Sequence, residues 1–157
     1  MTHLELDRRL ELCVEPDPKR YEAENTTAAD REAIRNSIFE LEPNIFYWCE
    51  TVYQSAYSID VLFERVEELV GDGRPFCYLI DLTRAKKPDA RTRTALKKMF
   101  SPSELRFSAI FTNANVLLNI AARFVLRSAA QESKFEVFRS YDQAFLRVRD
   151  ELQRAAA

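Results

Sequence analysis

Glycine and histidine are scarce in this chain, and their scarcity argues against several classes of enzyme. The 157 residues contain two glycines and one histidine. Loops that cradle a phosphate need several glycines, because the backbone must approach the anion closely. Gly71 and Gly73 precede an apolar run instead of following one, so they predict a turn. A histidine-dependent triad would rest on His3 alone, and no Gly-x-Ser-x-Gly elbow is present. We therefore expect no catalytic centre.

Cysteine is also sparse, and its spacing argues against a metal site. Cys13, Cys49 and Cys77 are widely separated, and no Cys-x-x-Cys pair occurs. A structural zinc site needs about four ligands. Cys49 and Cys77 fall in predicted strands, where a free cysteine behaves as a small buried hydrophobic residue. We expect neither a metal nor a cofactor.

Long hydrophobic runs are absent as well. No apolar run approaches the roughly 18 residues that a membrane-spanning helix needs. The first residues, with Glu5, Asp7 and Glu11, do not form a signal-peptide pattern. The chain is 46% hydrophobic and 31% charged, which is typical of a soluble globular domain. A cytoplasmic protein without a membrane span is the expectation.

Residues 1–33 predict an irregular N-terminal extension before a domain of residues 34–157. Apolar residues hold alternate positions from Leu4 to Val14, a period that favours an extended segment with one buried face. That segment could turn as a hairpin near Asp7-Arg8-Arg9. Residues 15–30 predict a loop, with a short helix after Thr27 as an alternative.

From Ile34 onward, strands and helices are predicted to alternate. Apolar runs at 34–41 and 45–52 flank Glu42-Pro43-Asn44 and predict a hairpin. The further expected elements are helix 58–70, strand 75–82, helix 89–100, strand 105–112, helix 115–130, strand 135–138 and a last helix capped by Ser140. This order predicts an α/β fold with a mixed, mostly parallel sheet of four or five strands backed by helices. The unbroken apolar runs at 76–82 and 107–111 should be central strands.

Asp81 ends a predicted core strand and is followed by a turn and a helix. In open α/β folds, sites are usually built beyond the carboxyl ends of strands. Asp81 could act there as a general base or a cation ligand. It could equally anchor the loop by accepting backbone N–H bonds, and the sequence leaves the two roles open.

Positive charge is concentrated between positions 84 and 98. The segment contains Arg84, Lys86, Lys87, Arg91, Arg93, Lys97 and Lys98, against Asp89 alone. A solvated face is one interpretation. Nucleic-acid binding is not expected, because no aromatic residues are interleaved with these charges. Docking of an acidic protein surface is the functional alternative.

The predicted helix 115–130 is apolar nearly all round, which is typical of a helix that is buried or shared with a partner. Burial under the N-terminal segment and a homodimer contact are equally open. The residues that would form a dimer or ligand contact are Leu117, Leu118, Phe124 and Val125.

The element order and the motif Asp81-Leu82-Thr83 resemble the SpoIIAA-like, or STAS, domain of anti-sigma factor antagonists and its bacterial STAS/SEC14-type relatives. In that family a mixed sheet is backed by helices on one side, and an Asp-Leu-Ser motif precedes Asp-Ser-Ser-Gly at the next helix. Asp89 matches the second aspartate, but Ala90 replaces the phosphorylated serine. Thr92 and Thr94 lie on the following turn and are substitute candidates for phosphorylation.

The resemblance implies a non-enzymatic regulatory domain that binds a protein, or a second copy of itself. The partner-binding residues that it implies, together with the charge pattern, are Arg84, Lys86, Lys87, Asp89, Arg91, Arg93 and Lys97. The SEC14 side of the group implies the alternative of a small-molecule or lipid pocket beneath helix 115–130.

Overall fold

A five-stranded sheet forms the centre of the computed structural model, which describes residues 3–13, 15, 18–112 and 134–157. Its strands are β1 Ile38–Glu42, β2 Ile45–Cys49, β3 Phe76–Asp81, β4 Leu105–Phe111 and β5 Phe135–Phe138. They lie side by side in chain order; β1 and β2 are antiparallel, and every later pair is parallel. The predicted α/β class and mixed, mostly parallel sheet are confirmed.

Helices occur before, between and after these strands. The described helices are α1 His3–Leu12, α2 Ala28–Asn36, α3 Ala56–Val70, α4 Ala90–Met99 and α5 Tyr141–Ala156. None of the helices in the described ranges has the length and apolar character that crossing a bilayer requires. The helix predicted at 115–130 lies outside the described residues.

The expectation of an irregular, extended N-terminal segment is wrong, because residues 3–12 form helix α1. Leu6, Leu10 and Cys13 follow one another at four and three positions, so a helix places all three against the same surface. They pack on the sheet with Phe39, whereas Leu4 is exposed. The apolar positions of this segment fit both the two-residue period of a strand and the 3.6-residue period of a helix.

The alternative of a short helix after Thr27 is confirmed by α2. Thr27 and Asp30 form a reciprocal capping box, in which each side chain accepts a hydrogen bond from the other residue's backbone N–H. The strand predicted from Ile34 therefore begins too early. Ile34 belongs to α2, where it is buried, and β1 starts at Ile38.

Local sequence signals explain where the other elements begin and end. Ser55 caps α3, Asp89 caps α4, and Ser140 caps α5. Gly71 follows α3 with a positive φ of 56°, which glycine adopts without a steric penalty. The helix therefore ends where the glycine pair predicts.

Helices cover both faces of the sheet. Helices α2, α3 and α4 pack on the face that carries Trp48 and Tyr78. Residues of α1 and α5 pack on the opposite face, with Tyr47 and Leu79. Because β2 and β3 are buried on both sides, their sequences are apolar without interruption. The one-sided arrangement implied by the resemblance is not observed.

Candidate functional site

Asp81 holds the turn that leads from β3 toward α4. Its Oδ1 accepts hydrogen bonds from the Thr83 amide at 2.9 Å and the Thr83 hydroxyl at 2.6 Å. Its Oδ2 accepts a bond from the Tyr47 hydroxyl at 2.7 Å. The interpretation of Asp81 as a loop anchor is confirmed. Within the described ranges, no group of three or more potential metal ligands comes together.

A pair of thiols lies at the same edge of the sheet, beside the guanidinium of Arg84. Nη2 of Arg84 donates to Sγ of Cys49 at 2.7 Å and to the backbone oxygen of Cys13 at 2.7 Å. The Cys13 and Cys49 side chains lie in the same buried cluster and interact with each other. We call Cys13, Cys49 and Arg84 the thiol cluster.

The thiol cluster makes its two cysteines chemically unequal. The interaction with Cys13 lowers the pKa of Cys49, and the positive charge of Arg84 acts in the same direction against the effect of burial. The same interaction and burial raise the pKa of Cys13. Because the two pKa values shift in opposite directions and Arg84 contacts Sγ of Cys49, Cys49 is the thiol that would carry a negative charge.

Residues from the N-terminal segment cover the carboxyl end of β2. Cys13 Sγ donates to the backbone oxygen of Asn36 at 3.9 Å, and Oε2 of Glu15 accepts from the Val52 amide at 2.8 Å. Glu50 directly follows β2 and is buried, with 8% of its surface exposed. Burial, followed by the negative charges of Cys49 and Asp81, raises the pKa of Glu50 well above its ordinary value.

Four of the expected partner-binding residues are exposed, on the loop after β3 and on α4, and we call them the basic surface: Lys86, Lys87, Arg91 and Lys97. Nζ of Lys86 donates to the Tyr53 hydroxyl at 2.9 Å and lies 4.7 Å from the centre of its ring. Lys87, Arg91 and Lys97 form no ion pair with any residue in the described ranges. Their charges therefore face solvent.

The other expected partner-binding residues are held by contacts within the protein. Arg84 belongs to the thiol cluster. Asp89 caps α4 through the Thr92 amide at 2.8 Å and forms an ion pair with Arg20 at 2.8 Å. Arg93 is half-buried and donates to the backbone oxygen of Pro88 at 3.1 Å. Lys98, at the end of the same helix, pairs with Asp60 at 2.6 Å.

An open groove of about 410 Å³ lies beside the first turn of α4. Its lining includes Arg91 together with the acidic residues Glu22, Glu24 and Asp60. The groove has charges of both signs and is wide open to solvent. It is an open groove between neighbouring surface segments and lacks the enclosed, mostly apolar lining of a typical ligand pocket.

The candidate phosphorylation sites differ in accessibility. Thr92 is fully buried, and its hydroxyl lies 3.4 Å from the backbone oxygen of Gln54. A kinase could not reach that hydroxyl in this fold. Thr94 is exposed, and its hydroxyl donates to the backbone oxygen of Ala90 at 3.1 Å. The residues expected on a dimer or ligand helix, Leu117, Leu118, Phe124 and Val125, lie outside the described residues.

Sequence reasoning missed the thiol cluster. It treated Cys49 and Cys77 as small buried hydrophobic residues in strands, and both are free and buried in β2 and β3. The contact of Cys49 with Arg84 was not predicted. Cys13 and Cys49 are far apart in the sequence, and Arg84 was assigned to the basic segment 84–98. Only the packing of the N-terminal segment against β2 brings the three together.

Comparison with known proteins gives no further guide. No protein-family model matches the sequence, and no curated protein matches it significantly. The function must therefore be argued from the geometry of the chain itself.

Proposed function

We propose that this protein is a non-enzymatic regulatory domain that binds an acidic surface of another protein through the basic surface of Lys86, Lys87, Arg91 and Lys97. The observation that carries the proposal is the exposure of these charges. Three of them have no ion-pair partner in the described part of the chain, in contrast to Lys98, which Asp60 neutralises. A protein partner with carboxylates could supply the missing counter-charges.

The position of the basic surface supports the proposal. It follows β3, beyond the carboxyl end of a parallel strand, where folds of this class commonly have their sites. Asp81 fixes the start of the connecting segment, and Asp89 fixes the start of α4. The charged residues are thus presented from a defined loop and helix, which reduces the entropy lost on binding.

Membership of the STAS group is part of the same proposal. It is supported by the mixed sheet, the order of elements and the turn anchored by Asp81, whereas the helices on both faces of the sheet depart from the family pattern. Ala90 has no hydroxyl, so a phosphate cannot be carried at that position. Regulation by phosphate would instead act at the exposed hydroxyl of Thr94, one turn later, close to the basic residues.

A cytoplasmic site of action also belongs to the proposal. All three cysteines are free thiols, and free thiols are typical of proteins kept in a reducing compartment. The carboxylate that ends β3 accepts three hydrogen bonds, two from Thr83 in its own turn and one from Tyr47 in β2, which is a structural role. These observations favour binding over catalysis.

Charge reversal in the full-length chain tests the proposed function. The doubly substituted variant Lys87→Glu/Arg91→Glu should lose its partners from native lysate, as measured by affinity capture and quantitative mass spectrometry. The control variant Arg106→Glu/Arg139→Glu changes the net charge equally at two exposed positions away from α4. Capture must also weaken as salt is added, because exposed charges are screened.

The proposal fails if the two variants capture the same proteins in the same amounts. Thermal unfolding of both variants serves as a check on folding, because substitutions at exposed positions typically change stability by about 0.5 kcal/mol or less. A loss of partners in the Lys87→Glu/Arg91→Glu variant alone, with unchanged unfolding, supports the basic surface as the binding site.

A further inference from the structure

We propose that Cys13 and Cys49 form an oxidation-sensitive pair: a hydroperoxide oxidises Cys49, and Cys13 then converts the product to an intramolecular disulfide. This modification site goes beyond the proposed partner binding and does not depend on it. Its consequence would be a covalent link between the N-terminal segment and strand β2.

The geometry provides both sulfur atoms and a cation in one place. Cys13 and Cys49 belong to the same buried cluster, and one guanidinium nitrogen contacts both residues. Nη2 of Arg84 lies 2.7 Å from Sγ of Cys49. The same nitrogen lies 2.7 Å from the backbone oxygen of Cys13, and it therefore holds the two residues together from one side.

The charges around the pair assign different roles to the two sulfurs. Arg84 contacts Cys49 directly and stabilises a thiolate there, whereas Asp81 and Glu50 are the nearby acids. Asp81 opposes the thiolate, and burial favours the uncharged form of Glu50. Cys49 is therefore the nucleophile, and Cys13, whose thiol remains protonated, is the resolving cysteine.

The reaction consists of two balanced steps. The Cys49 thiolate attacks one oxygen of hydrogen peroxide; the O–O bond breaks, a sulfenic acid forms, and hydroxide leaves and is protonated to water. The Cys13 sulfur then attacks Sγ of the sulfenic acid, the S–O bond breaks, and the oxygen leaves as water with the thiol proton. The two thiols lose two electrons in total, and the peroxide gains them.

The burial of the two cysteines restricts the oxidant but does not prevent its access. Cys13 is 8% exposed and Cys49 is 3% exposed. Hydrogen peroxide is only slightly larger than water, so small local openings at the end of β2 would admit it. Larger disulfide reagents should react slowly, which would distinguish this pair from an exposed dithiol.

Cys77 is a control within the same molecule. It is fully buried in β3, and burial raises the pKa of its thiol to about 12. Arg84 makes no hydrogen bond to it. Cys77 should therefore stay reduced under conditions that oxidise the pair.

Peptide mapping of the oxidised full-length protein tests the proposal. Dilute hydrogen peroxide should reduce the intact mass by about two daltons, the two hydrogens lost in one disulfide. After free thiols are blocked, a linked peptide should contain Cys13 and Cys49, while Cys77 carries the blocking group. The yield should not depend on protein concentration, because the bond is intramolecular. Oxidation of Cys77 at an equal rate, or the absence of the linked peptide, would overturn the proposal.

Three variants test the separate roles. Cys13→Ser should accumulate a sulfenic acid at Cys49 that dimedone traps, whereas Cys49→Ser should give no trapped product at Cys13. Arg84→Gln should slow the oxidation of Cys49 about tenfold, the effect of raising a thiol pKa by one unit, and Arg84→Lys should restore part of the rate. Trapping at Cys13 in the Cys49→Ser variant at the wild-type rate would contradict the assigned roles.

Discussion

Replacing Glu50 with glutamine should make the protein more stable, and the gain should increase with pH. Glu50 directly follows β2, and its side chain is buried. Its backbone amide donates to the backbone oxygen of Asp81 at 3.2 Å. Burial is the main cause of its raised pKa, and the charges of Cys49 and Asp81 add to it. The folded protein therefore keeps a proton on Glu50 at pH values where the unfolded chain has lost it.

The sign of the effect follows from proton linkage. Where the folded state binds more protons than the unfolded state, the free energy of unfolding decreases as pH rises. The contribution of Glu50 is complete below the ordinary pKa of 4.5 and is lost as pH rises toward the raised pKa of the folded state. A difference of one bound proton between the two states changes the free energy of unfolding by about 1.4 kcal/mol per pH unit. Glutamine does not ionise, so the Glu50→Gln variant lacks this decrease.

Urea unfolding at several pH values measures the difference directly. The fluorescence of Trp48, the single tryptophan of the chain, reports unfolding because its side chain is fully buried between β2 and the helices on that face of the sheet. The difference in unfolding free energy between Glu50→Gln and wild type should widen by up to about 1.4 kcal/mol per pH unit above pH 5. Glu67→Gln, on the exposed part of α3, is the control. Parallel curves for Glu50→Gln and wild type would refute the reasoning.

Two substitutions test the fold, and light scattering tests self-association. Leu79→Ala should lower the unfolding free energy by about 2–5 kcal/mol, because Leu79 is fully buried in the central strand; a loss below about 1 kcal/mol in urea would contradict its place in the core. Ser55→Ala should cost about 1–2 kcal/mol in the same assay, since Ser55 caps α3 and donates to the Tyr21 backbone oxygen. A homodimer contact through the predicted helix 115–130 would give a dimer in light scattering over a concentration series; a monomer at high micromolar concentration would leave only a heterologous partner.

The sequence predicted the sheet because each of its strands has a strong local signal. The turn Glu42-Pro43-Asn44 separates two apolar runs, and Asn44 adopts the positive φ of 68° that such a turn requires. The glycines end α3, and Ser140 starts α5. Central strands are recognisable because burial on both faces selects apolar residues at every position.

The N-terminal segment could not be assigned in the same way. Leucines at alternate positions satisfy a strand period, but Leu6 and Leu10 also satisfy a helix period. The choice depends on tertiary packing, since α1 gains stability by covering the sheet at Phe39.

The candidate site was predicted only in part, because neighbours in sequence can have different partners in space. Lys86 and Lys87 are exposed as their charges suggest, whereas Arg84 turns inward and donates to Sγ of Cys49. Thr92 and Thr94 are two positions apart on α4 and therefore face different sides of the helix: Thr92 is on the buried face, and Thr94 is exposed. The helix period alone could have separated the two threonines. The inward turn of Arg84, in contrast, depends on Cys49, which lies 35 positions away, and no local pattern encodes it.

The central claim is that exposed positive charge on α4 and its preceding loop attracts a protein partner. The most direct test is the association rate of a captured partner with the immobilised domain, measured as a function of ionic strength. The account predicts a rate that falls steeply with salt for wild type and for Arg106→Glu/Arg139→Glu, and a slower, flatter dependence for Lys87→Glu/Arg91→Glu. Equal rates and equal salt dependence for all three proteins would contradict it.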